Sequence, residues 1–444
     1  MTMTNQIEHQ NDLLFEELNE SWSTLTLEDR KEKFQSLPRT YAEELFLSLS
    51  SKDQFDLISK SSSMEKRSWV RLLAPDDAAD LIQEFETDDR EEIVNLLDPQ
   101  TRREVTALLA YAEDRAGGLM SSRFVRLRPD MSVDEAISYL RIQAKTQVET
   151  IYYAYVLAFD QTLLGVVSFR ELFFATQDKK ISDFMKTDLV KIPVELDQEK
   201  IGQIFLQNEL MALPVIDEQG HMKGIVTFDD VASVVQEEAT EDIHKLGAVE
   251  TLDAPYLQIS FWTMIQKRLS WLIILFIGEM FTATALGHFQ VEIEKAVVLT
   301  LFIPLIISAG GNSGSQASTL IIRAMALGEV RLKDWLRVLK REVLTGATLG
   351  LCLGLLGILR IVFWPHNSAI YGDYATLIGL TVGISVLASV AWGSTMGAML
   401  PMLLRRFKLD PASASAPAVA TIIDVTGLLI YFSVASIILK GHLL

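Results

Sequence analysis

The chain has 444 residues, with 58 Asp and Glu against 40 Lys and Arg, a net charge of −18. An acidic surplus of this size argues against a nucleic-acid partner and favours cations. Its one cysteine, Cys352, excludes an internal disulfide framework, and no Cys/His spacing suits zinc. The charge is uneven: residues 1–266 carry 49 acids and 26 bases, whereas residues 267–444 carry 9 and 14. An acidic half thus precedes a sparsely charged apolar half. The first residues, MTMTNQIEHQ, lack the basic and apolar regions of a signal peptide, so the first 260 residues are expected on the cytoplasmic side.

Residues 10–120 read as successive short amphipathic helices. LAPDDAADLIQEF, TDDREEIVNLL and DPQTRREVTALLAYAEDRAG each carry apolar residues at 3–4 spacing behind Asp or Thr. A helical solenoid or bundle over 1–119 is expected. Next comes an internal repeat. MSSRFVRLRPDMSVDEAISYLR, from Met120, is matched by MKTDLVKIPVELDQEKIGQIFL, from Met185. Each copy continues into a strand-turn-strand, giving βαββα over 120–183 and again over 184–234. The pattern resembles a tandem pair of CBS domains. That resemblance implies an adenine-nucleotide (ATP) site at Thr227 and Asp230 of GIVTFDD. The first copy has GVVSFRE there, with Arg170 and Glu171, and departs from the pattern.

A linking helix follows within 235–266. In it Glu238, Glu241 and Asp242 share one face at i, i+3 and i+4. Like charges at that spacing repel unless divalent cations bridge them to other acids. Further acids stand at Asp88, Asp89, Glu91 and Glu92, and at Asp134 and Glu135. Oxygen-only ligand sets suit Mg2+ or Ca2+.

Five apolar stretches are predicted over 267–444, at about 269–287, 297–322, 343–364, 375–403 and 418–439, each long enough to cross a bilayer. Basic residues alternate between the connections. Lys267 and Arg268 precede the first span, Arg331 to Arg341 separate the second and third, and Arg405, Arg406 and Lys408 separate the fourth and fifth. By the positive-inside rule these ends and the acidic half face the cytoplasm, and the C-terminus faces out. The second span holds PLIISAGGNSGSQAST, where Gly310 and Gly314 have GxxxG spacing. Either helix packing or a pore lining fits this stretch; Asn312, Ser313, Ser315 and Gln316 favour the lining. The fifth span, AVATIIDVTGLLIYFSVASIIL, keeps one acid, Asp424, and no base. A charge at bilayer depth costs about 2.5–3.5 kcal/mol on insertion scales and marks function. Glu279, near the middle of the first span, is a second ionisable residue there.

Taken together, EATEDIHKLGAV, AGGNSGSQASTLIIRAMALGE and DPASASAPAVATIIDVTGLLIYF resemble the MgtE-type magnesium channels over nearly the whole chain. The fold this implies is a multidomain membrane protein. An all-α N-terminal superhelical domain is followed by α/β tandem CBS domains, a linking plug helix and a five-helix transmembrane domain. The resemblance further implies a homodimer in the cell (inner) membrane, carrying Mg2+ past Asp424 as selectivity residue. Gly310, Gly311, Asn312 and Gly427 are expected to line the path. Regulatory Mg2+ is implied at Asp89, Glu135, Asp217, Glu238, Glu241, Asp242, Glu250 and Asp410, favouring closure. Two positions depart from the family: Ala416, where Gly or Asn is common, and Glu279, where a small or apolar residue is expected.

Rival readings stay open. Oxygen ligands do not separate Mg2+ from Co2+ or Ca2+, and Asp424 or Glu279 carrying a proton would give a secondary transporter. A membrane-tethered Mg2+ or nucleotide sensor without transport is a third. An intramembrane aspartic protease, prompted by DVTG, lacks the second matching Asp motif that its shared proton requires. No catalytic residues are expected.

Overall fold

A computed structural model describes residues 2–143, 150, 152–252, 254–363 and 371–443. The chain forms two compact units, Met1–Glu238 and Ala239–Leu444.

The first unit begins with helices of only two or three turns after Thr2–Ser21: Leu27–Ser36, Arg39–Ser48, Ser51–Ile58, Ser63–Val70, Pro75–Gln83, Thr87–Leu96 and Pro99–Leu108. Their starts are written locally. Thr26, Ser50, Ser62 and Asp98 accept a hydrogen bond from a backbone N–H two or three residues on, each cap contributing about 1 kcal/mol. Pro75 and Pro99 sit at first-turn positions where no N–H is needed. Phe46 and Phe34 pack on Trp69, with ring centroids 4.9 and 5.2 Å apart. Arg30 is buried but paired, 2.6 Å from Asp53.

Two three-stranded sheets follow. In the first, β1 (Val125–Leu127) is parallel to β2 (Tyr153–Leu157), and β3 (Leu163–Ser168) runs antiparallel to β2. The second repeats this with β4 (Ile192–Pro193), β5 (Ala212–Ile216) and β6 (Met222–Thr227). The register slips at Val156/Leu157 and again at Val215/Ile216, so the repeat extends to the irregularity. Each sheet receives a crossover helix, Val133–Gln143 and Gln198–Asn208. Gly220, with φ +85°, makes the tight turn before β6.

The linking helix begins at Phe228, directly after β6, and runs unbroken to Leu246. No Gly or Pro interrupts 228–246, and Val231 and Val234 anchor its first turns in the core. The last helix of the second repeat and the linking helix are therefore one element.

Among the described residues, five helices are long and apolar enough to span a membrane: Phe261–His288, Val297–Ala326 (helical from Ile303 after a 3-10 turn), Leu332–Val362, Gly372–Arg406 and Ala416–Ile438. The third starts earlier than its apolar stretch, so Arg337, Lys340 and Arg341 lie on the helix itself. Most of the loop WPHNSAIYGDYA, and residue 364 where the third span was expected to end, lie outside the described residues.

Glycine decides how closely these helices pack. A Cβ on Gly393 or Gly397 of the fourth span would lie 2.2 or 2.0 Å from the carbonyl oxygens of Gly310 and Gly314. Small residues at four-residue spacing thus bring two backbones into contact. Gly397→Ala is expected to cost several kcal/mol, since backbone and not a flexible side chain must yield. A thermal melt of the detergent-solubilised protein should drop sharply, and an unchanged melt would show that this approach is not required.

Candidate ion path and acidic cluster

Asp424 is half-buried in the fifth span, with Ile423 and Gly427 turned into the bundle beside it. One turn earlier the first span closes in: a Cβ on Gly278 would lie 2.8 Å from Thr421 Cγ2. The next residue, Glu279, places its carboxyl within hydrogen-bonding reach of Asp424. Two carboxyls from separate spans therefore face each other at membrane depth, and neither carries an ion pair among the described residues. Glu279, a departure when read alone, is the neighbour of the acid singled out in the fifth span.

The second span divides its residues between two faces. Gly310 and Gly314 are buried against the fourth and fifth spans, where a Cβ would strike Ser389 Oγ at 2.4 Å and Ile423 Cδ1 at 2.5 Å. Gly427 is buried too, its missing Cβ 3.3 Å from Ser389 Oγ. Gly311 is buried at ordinary contact distance, 3.8 Å, from Ala420. Within one chain Gly310, Gly314 and Gly427 thus stand at helix-packing positions, and Gly311 faces the fifth span at ordinary contact distance. Asn312 is exposed, as a lining residue must be, and donates to Ser308 Oγ at 3.4 Å. Ser308, Asn312, Gln316, Thr319 and Arg323 are all exposed on one stripe at helical spacing. The buried serines on the other face are satisfied inside the bundle: Ser313 with Ser394 at 2.7 Å and Ser318 with the Ala414 carbonyl at 2.7 Å. Ala416 contributes its carbonyl, which accepts from Ser315 at 3.3 Å.

The first unit holds a second concentration of carboxylates, which the sequence pattern did not single out. Asp76 and Asp80 on Pro75–Gln83 lie near Asp230 in the first turn of the linking helix. Burial, then the charges of Glu113, Asp76, Asp77 and Asp230, pushes Asp80 up to about 8. Burial likewise raises Asp230 to about 7 against the lowering bond from Thr227, with Asp229, Asp76 and Asp77 adding to the rise. Asp76 is 8 % exposed and raised chiefly by burial, and its Oδ1 is buried without a hydrogen-bond partner. Burial and the neighbouring Glu84 also raise Glu113. Acids here meet acids, with Asp76 Oδ1 left unpartnered, so that they repel one another wherever they are ionised together. The signal available in the sequence was APDDAAD, whose Asp76 and Asp80 share a helix face; it reads equally as a helix start.

Among the described residues no group of three His, Cys, Asp or Glu stands in metal-holding geometry. Glu135 closes the first turn of its helix by accepting from the Ser132 N–H at 2.9 Å. Asp217 organises the β5–β6 turn, accepting from the His221 N–H at 2.8 Å and pairing with Lys223 at 3.0 Å. Partial burial opposes its charge, but the bonds from Lys223 and His221 hold it below the usual carboxylate range. Asp89 is exposed in the first turn of Thr87–Leu96. Glu238 accepts from Gln198 at 2.6 Å. Glu250 accepts from Ser270 at 2.5 Å, at the start of the first span. Lys245 bridges Glu241 and Asp410, the latter at 2.5 Å. Burial opposes the Lys245 charge, yet the bonds to Asp410 and Glu241 hold its pKa above the usual lysine value. With Leu246 packed near Ile322, Ala412 and Ala414, this bridge seats the end of the linking helix on the spans. Asp242 lies on the same helix.

In the second repeat Thr227 is buried and its hydroxyl donates to Asp230. The first repeat puts Ser168 and Glu171 there and spends both on a capping box, with Lys186 3.1 Å from Glu171.

Comparison with known proteins extends over all these parts. A family model described as a divalent cation transporter matches residues 303–434, an MgtE intracellular N domain matches 14–114, and a CBS domain matches 181–237. The chain is 39% identical to the magnesium transporter MgtE of Thermus thermophilus over 423 residues, 95% of this chain and 92% of that one. It is 32% identical to the Enterococcus faecalis magnesium transporter MgtE over 76% of this chain and 72% of the relative. Among solved structures, the cytosolic domain of the Mg2+ channel MgtE in complex with ATP aligns with 52% of this chain and 98% of its own, at 32% identity and a TM-score of 0.47.

Proposed function

The chain belongs to the MgtE family of membrane transporters, and we propose that it is a Mg2+-selective channel that imports Mg2+ across the cytoplasmic membrane as a homodimer. The observation that carries this reading is Asp424, an acid without a basic partner, in a bundle whose second span presents an exposed polar stripe. Mg2+ gives up its water reluctantly, so a carboxylate from each subunit would hold it largely hydrated, by charge and through its waters. Ser308, Asn312 and Gln316 supply hydrogen-bonding groups for that water shell. A monovalent ion would leave the two carboxylates under-neutralised.

Closure follows from the acidic cluster. Without metal, Asp76, Asp80 and Asp230 repel one another once ionised, which favours separation of the two helices that carry them. Cytosolic Mg2+ bridges them and favours the closed state, a feedback that requires only tighter binding to one of two states. Glu238, Glu241, Asp242, Asp89 and Glu250 are proposed as further acids of this response; Glu238, Glu241 and Glu250 have internal partners to exchange for the metal, as do Glu135, Asp217 and Asp410. The seating of Leu246 and Lys245 on the spans supports the plug role of the linking helix. An adenine nucleotide at Thr227 and Asp230 is proposed to stabilise the closed form. The cytosolic placement of the first unit rests on the alternation of basic connections.

The test is uptake by liposomes containing the purified chain and an Mg2+ indicator. Uptake is expected with no imposed proton gradient and is expected to slow as Mg2+ rises on the cytosolic face. Uptake that requires a proton gradient would replace this reading with secondary transport.

A further inference from the structure

The ends of the third and fourth spans enclose a groove of about 560 Å³ that serves neither the ion path nor the acidic cluster. It is lined by Met396, Met399, Leu400, Met402 and Leu403 together with Trp335, and among the described residues its charged groups are Lys333 and Arg406. Lys333 and Arg406 carry no ion pair among the described residues, whereas the nearby Arg337 pairs with Asp334 at 3.1 Å and Arg405 donates to the Met325 carbonyl at 3.3 Å. The layout has a direction. Arg406 ends its helix, and Met396 lies ten residues deeper, about 15 Å along the axis. A cationic rim over an apolar trough at the end of a membrane span is complementary to an anionic head group with an acyl chain beneath it. Methionine suits such a chain because its side chain adapts to irregular apolar shapes, and tryptophan is at home at the head-group level.

We propose that this groove binds one anionic glycerophospholipid, its phosphate between Lys333 and Arg406 and an acyl chain along Met399 and Met396. The site sits around Pro401, on the same helix whose Gly393 and Gly397 back onto Gly310 and Gly314. An occupant therefore bears on the helix that supports the polar stripe. The inference does not depend on which cation the chain carries.

Fluorescence quenching tests it on the full-length protein in vesicles containing brominated phosphatidylglycerol or brominated phosphatidylcholine. The Trp335 signal is the difference between the wild type and Trp335→Phe. Each basic side chain near an anionic head group favours it roughly five-fold, so with two of them half-quenching by phosphatidylglycerol is expected at about a twenty-five-fold lower mole fraction. Lys333→Gln with Arg406→Gln should remove the preference, and the charge-keeping pair Lys333→Arg with Arg406→Lys should retain it. Equal quenching by both lipids would overturn the proposal. So would a preference that survives the neutral pair, or no quenching by either lipid, the result expected if a second copy of the chain covers the groove.

Discussion

Asp424→Asn should reduce divalent-selective Mg2+ uptake by at least about two orders of magnitude. Two charge-assisted hydrogen bonds at about 1.5–3 kcal/mol each, one per subunit, would be lost where hydrated Mg2+ has to be held. Glu279→Gln is expected to be milder, a several-fold loss with divalent selectivity retained, because the amide can still hydrogen-bond to Asp424 and leaves that carboxylate in place. The pair of variants is informative in both directions. Selective uptake persisting in Asp424→Asn would remove the filter assignment, and an equal loss in Glu279→Gln would make the two carboxyls joint ligands. Both variants should be assayed against Co2+ and Ca2+, since oxygen donors alone do not fix the preferred divalent.

The second large effect concerns the acidic cluster. Asp80 and Asp230 are raised to about 8 and about 7 in the folded chain by burial and by one another's neighbours. A carboxyl whose pKa is raised on folding stabilises the closed arrangement fully below its ordinary value near 4, and that contribution is lost as pH rises through the folded value. Metal-free protein should therefore become protease-sensitive around Pro75–Gln83 and the start of the linking helix between about pH 6 and 8, while Mg2+ should restore protection at pH 8. Metal at a hundred times its dissociation constant contributes about 2.7 kcal/mol to the form that binds it. With Asp76→Asn, Asp80→Asn and Asp230→Asn combined, protection should be the same with and without Mg2+ at both pH values, and uptake should no longer slow with cytosolic Mg2+. Wild-type cleavage independent of both pH and Mg2+ would dismiss the cluster as the sensor.

The local elements were legible because their causes are local. Caps such as Ser62 with Glu65 and Asp98 ahead of Pro99 announce the short helices, since the groups that satisfy a first turn lie within three residues of it. The doubled βαββα pattern is readable from the alternation of its strands, and the five spans from the length of their apolar runs. The expectation that Asp424 matters also came from sequence, because an acid in an apolar span is costly wherever its neighbours stand.

What each residue faces was not legible. In PLIISAGGNSGSQAST glycines and polar residues alternate, and composition cannot say which side meets a helix and which is left open. Only the approach of the fourth span, with Gly393 against the Gly310 carbonyl, assigns the glycines to packing and leaves Ser308, Asn312 and Gln316 exposed. The same holds for charge. Asp217 and Asp410 read as free ligands until Lys223 and Lys245 are found beside them. Asp76 and Asp80 read as a helix start until the distant linking helix brings Asp230 alongside. Glu279 gains meaning only from Asp424, 145 positions later in the chain. Sequence by itself determined which segments are helix, strand and membrane span, since those depend on hydrogen bonds and burial patterns within a few residues. The partner of each carboxylate was decided by tertiary structure, because the energy of a charge depends on what lies within a few ångströms and not on what precedes it in the chain.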